Sequence, residues 1–117
     1  MHGKSIESNL VIRDKVEMFG SHLYGALRRY PREERHVLAA ETRSSLYRLL
    51  RHVITAGKAR NKMGVLNAAD AEVAMLNALM RIGMHLKYLP FKTYEQLAKQ
   101  LDEIGRMIGG WIKKIPA

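Results

Sequence analysis

The sequence predicts an all-α fold, an up-down-up-down four-helix bundle, on three observations. Four stretches place apolar residues at helical spacing. Short connections separate them, at Tyr30-Pro31, at residues 58–65 and at Leu89-Pro90-Phe91-Lys92. No alternating β-branched run and no hairpin signal occurs. Short links favour antiparallel neighbours, which makes the bundle the economical arrangement.

The first helix is expected from about Leu10, with Ser8 or Asn9 as its cap. Ile12, Val16, Phe19, Leu23, Leu27 and Tyr30 form its apolar stripe. Tyr30-Pro31 ends it, because proline has no backbone donor for a continuing helix but suits a first turn. Helix two follows, with Glu33 and Glu34 near its positive start and Leu38, Leu46, Leu49 and Val53 inward. Gly57 is the expected C-terminal glycine. Helix three is expected over residues 66–88. Helix four opens on Thr93 and Gln96, a capping-box pair, and buries Leu97, Leu101, Ile104, Ile108, Ile112 and Ile115. Residues 1–9 are expected to be a flexible N-terminus and 10–115 a single domain.

The 117-residue chain is 47% hydrophobic and 26% charged, the composition of a folded domain. Its net charge of +9 and pI of about 10.1 are those of a polyanion binder. The absence of cysteine excludes a disulfide framework and a thiolate metal site, and it fits a reducing cytoplasm. No apolar run reaches the ~18 residues that cross a membrane, and residues 1–9 lack the apolar core of a signal peptide.

Helix three is the odd segment. Asp70, Asn77, Arg81 and His85 occupy a wedge of roughly 80°, and nearly everything else is apolar. A surface helix needs one apolar stripe of about 100°. The surplus predicts a second subunit or a partner against this helix. Val73, Leu76 and Met80 are the candidate subunit contacts.

Catalytic patterns are weak. Glu33-x-x-His36 has the spacing of di-iron bundles, but those need two such motifs and two more glutamates. An exposed charged turn accounts for it better. Asp70 and Glu72 point about 200° apart on a helix, so they cannot act as a carboxylate pair. No nucleophile motif and no phosphate loop occurs. The chain reads as a non-enzyme without a cofactor. The basic residues say more. Arg48 and Arg51 share one face of helix two, Lys58, Arg60 and Lys62 follow in an acid-free turn, and Arg81 projects from helix three. These six are the candidate phosphate contacts, and repetition around a ring of subunits would concentrate their field. No aromatic interleaving points to base stacking.

In AGK at Ala56 to Lys58, AADA at Ala68 to Ala71, AML at Ala74 to Leu76, Arg81 and EIGRMIGGWI at Glu103 to Ile112, the chain resembles the accessory variability determinant of diversity-generating retroelements. Tyr30-Pro31 is similar to the turn of the wider four-helix family, which includes proteins encoded by intervening sequences in bacterial 23S ribosomal RNA genes. The resemblance implies a pentameric, barrel-shaped ring of four-helix protomers. It also implies binding to the retroelement reverse transcriptase, its template RNA and its cDNA in support of mutagenic reverse transcription. A stand-alone RNA-binding bundle of the ribosomal intervening-sequence type is the alternative, and a metal-site bundle enzyme a third. At residue level the chain departs from the family in helix three: Asn77 stands where a basic residue is expected, and His85-Leu86-Lys87 replaces a more apolar end.

Overall fold

Ile12, Val16, Phe19 and Leu23 recur every three or four residues, and this spacing turns all four to one side of a helix. In the computed structural model, which describes residues 2–116 and side chains from Asn9 onward, all four are buried at the centre of the molecule. Four helices surround that centre: α1 (His2–Leu27), α2 (Leu38–Lys58), α3 (Met63–His85) and α4 (Phe91–Lys113). Each packs on its sequence neighbour, and α4 closes the ring on α1. The pairs are antiparallel. Asn9 lies against Gly57 and Tyr24 against Tyr47 across α1 and α2, while Lys15 bonds Glu103 at 2.8 Å across α1 and α4. The molecule is a rod of 47 × 23 × 20 Å. No described helix is long and apolar enough to cross a membrane.

The inner stripes of α1, α2 and α4 match the expected ones except at their ends, where Leu38, Ile112 and Ile115 are only half-buried. Leu46, Leu49, Val53, Leu97, Leu101, Ile104 and Ile108 are buried, each worth roughly 1.5–3 kcal/mol relative to exposure. Helix ends differ from expectation. α1 starts before Ser8 and Asn9, so neither residue caps it. α2 starts only at Leu38, because residues 32–34 form a 3₁₀ turn and the Leu38 amide bonds Glu34 Oε1 at 3.4 Å. α3 is displaced three residues toward the N-terminus at both ends. α4 begins at Phe91 behind Pro90, without a side-chain cap, so the expected Thr93–Gln96 box does not form. Thr93 is already the third residue of the helix, past the cap position from which a side chain could serve the first amides.

Gly57 is inside α2 and has no positive φ. It is glycine because a Cβ there would overlap the Asn9 side chain. Two residues past the end of α3, Lys87 has φ 65, in the left-handed region. The Lys87 amide bonds Met84 O at 2.9 Å and the Tyr88 amide bonds Gly83 O at 2.9 Å. These two bonds satisfy orphan carbonyls in a Schellman closure.

The aromatic-proline turn folds over this closure. Tyr30 is 3% exposed, with its ring 5.6 Å from that of Tyr88 and its hydroxyl without a partner. Tyr88 donates to Glu34 Oε2 at 3.3 Å. Burial pushes the Tyr30 phenol up to about 12 from its ordinary 10. The fold therefore holds the neutral form, and the unfolded chain ionises first. The resulting stability is fully present below pH 10 and is lost as pH rises toward 12, by about 3 kcal/mol. Urea unfolding at pH 9 and pH 11.5 should show about 2 kcal/mol of that loss in the wild type and a much smaller one in Tyr30→Phe; equal losses would refute the assignment.

Candidate nucleic-acid interface

The α2 face that carries Ser44, Arg48, Arg51, Thr55 and Lys58 points away from the core, as its spacing requires. Arg51, Lys58, Arg60 and Arg81 are exposed, and none forms an ion pair among the described residues. Arg48 is also exposed, but its Nε donates to Glu72 Oε1 on α3. That contact neutralises it locally.

Lys62 has a different task from the one its charge suggests. Its ammonium donates to Ala56 O at 2.6 Å and to Ala59 O at 2.7 Å, and it lies 5.9 Å from the Trp111 ring centroid. It satisfies the last carbonyls of α2, the work expected of Gly57, and it pins the α2–α3 connection to α4. Arg81 stands apart. It is nine residues from Glu72, hence about 180° around α3 from the α2-facing side, and ~27 Å along the axis from Met63. The six candidates thus separate into an exposed group of Arg51, Lys58 and Arg60, an isolated Arg81, and two residues held by other protein groups.

The three candidate subunit contacts are corrected by burial. Leu76 and Met80 are fully buried inside the protomer. Val73 is half-buried, and its Cγ1 would stand 3.4 Å from a Cβ at Gly105 on α4. The core of one chain uses all three. The surplus apolar surface of α3 lies elsewhere: Met75, Ile82 and Leu86 are 43%, 46% and 50% exposed. They fall within about 40° of each other on the helix wheel, on the side of Glu72 and α2. Sequence spacing showed a second apolar face but not which one the bundle would take.

Two grooves flank α1. One of about 750 Å³ runs between α1 and α4, lined by His22, Arg29, Gln96, Lys99, Gln100 and Glu103 among others. His22 Nδ1 meets the Gln100 amide at 2.9 Å across it. The hydrogen bond and charge of Lys15 hold the Glu103 carboxyl below its usual range. The other groove, between α1 and α2, holds Tyr24 and Tyr47, edge to face with ring centroids 6.4 Å apart and hydroxyls bonded to each other. That bond is the main cause of the raised Tyr24 phenol. These residues are 23 apart in sequence, so no local pattern announces the pair.

Glu33, within the 3₁₀ turn, and His36, just after it, are both exposed. Asn77 is half-buried and accepts from the Tyr94 hydroxyl at 3.2 Å, which removes it from the exposed wedge of Asp70, Arg81 and His85.

The profile of a family described as bAvd-like matches residues 10–115. No curated protein matches the chain significantly. Among solved structures, a protein of unknown function from the S23 ribosomal protein family of Bacteroides thetaiotaomicron superposes with a TM-score of 0.82. It is 18% identical, and the alignment covers 92% of this chain and 99% of that one. At that identity the likeness concerns the fold.

Proposed function

We propose, because the chain belongs to the bAvd-like family, that it is a non-catalytic accessory subunit of a diversity-generating retroelement reverse transcriptase. In this reading it assembles as a ring-shaped homo-oligomer, with a pentamer as the expected count. It holds the enzyme and the template RNA or cDNA through its basic surface, in the cytoplasm. The observation that carries the reading is the exposed cation group Arg51, Lys58 and Arg60, free of acidic partners among the described residues, in a chain of net charge +9. Met75, Ile82 and Leu86 supply the apolar stripe for subunit packing.

The test is co-purification with a reverse transcriptase encoded beside the gene, together with its template RNA. Arg51→Ala/Lys58→Ala/Arg60→Ala should lower RNA affinity at least tenfold near 0.1 M salt, as loss of several phosphate contacts requires. Light scattering should report several subunits. A monomer that binds neither enzyme nor RNA would end the proposal. The second reading is a stand-alone RNA-binding bundle of the ribosomal intervening-sequence type. RNA binding without any association with the reverse transcriptase would select it.

A further inference from the structure

The α2–α3 connection and the end of α4 are some 50 residues apart in sequence, yet Lys62 over Trp111 places them together at one tip of the rod. Lys113 and Lys114 follow Trp111 after one residue, Ile112, and both are exposed. Helix rise puts them only ~3–5 Å further along the axis than Trp111. Lys58 and Arg60 are exposed on the connection itself. One tip thus gathers Lys58, Arg60, Lys62, Lys113 and Lys114 from two segments.

No acid dilutes them among the described side chains. On α3 the first acid after Met63 is Asp70, ~10 Å along the helix. On α4 the last acid before Lys113 is Glu103, ~15 Å away, and on α2 the last before Lys58 is Glu41, ~25 Å away. On α1, Asn9 lies level with Gly57, and Asp14 is ~8 Å beyond it. These separations equal or exceed the ~8 Å Debye length at physiological salt, so these four acids screen the tip weakly; Glu7, two residues before Asn9, lies outside the described side chains. The opposite end is also basic, with Arg28, Arg29, Arg32 and Arg35, but Glu33, Glu34 and Glu95 are interspersed there.

We infer that this tip is a binding site for the phosphodiester backbone of a single nucleic-acid strand, with Lys113 and Lys114 as contacts alongside Lys58 and Arg60. Lys62 contributes its charge to the field while its ammonium stays on the α2 carbonyls. The inference rests on the nucleic-acid reading above and moves its centre from the flank of α2 to the end of the bundle. Backbone contact needs cations without base-reading groups, and the tip offers those.

The test compares the full-length wild type, Lys113→Ala/Lys114→Ala and Arg28→Ala/Arg29→Ala by fluorescence anisotropy. The probes are single-stranded RNA and DNA of one sequence, over a series of salt concentrations. The second pair removes the same charge from the other end. Loss of two phosphate contacts should flatten the log–log salt slope by about 1.4 and weaken binding about twenty-fold near 0.1 M salt. The Arg28/Arg29 variant should keep the wild-type slope. A loss on RNA alone, DNA alone or both supports the site and states which strand it takes. An unchanged slope in the lysine variant, or equal losses in both variants, overturns it. A wild type that binds neither strand sinks the nucleic-acid reading itself, a different result from wild-type binding with an unaltered lysine variant. Thermal unfolding by circular dichroism confirms that each variant is folded.

Discussion

Gly83→Ala is expected to destabilise the bundle by about 2 kcal/mol, although alanine is the better helix former by ~1 kcal/mol at an open site. Gly83 is buried in the last turn of α3, and a Cβ there would overlap the Tyr30 hydroxyl and stand 3.0 Å from Cζ. Tyr30 has little room to retreat, being buried between α3 and the Tyr88 ring. The hydroxyl makes no hydrogen bond, so its removal sacrifices none. Tyr30→Phe should therefore be neutral or stabilising by up to ~1 kcal/mol, and in that background Gly83→Ala should cost little. Urea denaturation of the four proteins gives the cycle. Additive effects would show that the steric conflict is not with the hydroxyl.

Lys62→Met should cost about 2–3 kcal/mol. Methionine keeps most of the stem but strips two charge-assisted hydrogen bonds from Ala56 O and Ala59 O and the cation from the Trp111 ring. The connection that joins α2 to α3 would lose its tie to α4. Lys58→Met removes the same charge from an exposed side chain and should change stability by less than ~0.5 kcal/mol. Denaturant midpoints of the two variants decide the matter. If both are equally mild, the Lys62 bonds contribute nothing.

The contrast between these lysines shows how far the sequence could be read. Ile12, Val16, Phe19 and Leu23 announce their burial because helix period and apolarity agree, and the same holds for Leu97 through Ile108. On α3 apolar residues cover most of the circumference, so the pattern leaves rotation undetermined. Leu76 and Met80 turn inward, while Ile82 and Met75 turn out. Charge is legible but its employment is not. Lys58, Arg60 and Lys62 look alike in a row, yet only the third meets free carbonyls. Arg48 meets Glu72 across 24 residues, a distance over which composition says nothing.

The rod shape bears on how copies would share a strand. At 47 Å long against 23 and 20 Å across, each protomer has a cationic tip much smaller than its flank. Copies standing side by side in the same direction would set their tips in one disc, where a looping strand could visit each in turn. Alternating directions would split them between two faces nearly five nanometres apart, and the same number of charges would then serve two separate strands. Stacking polarity, more than subunit number, would fix the valency that one polymer meets.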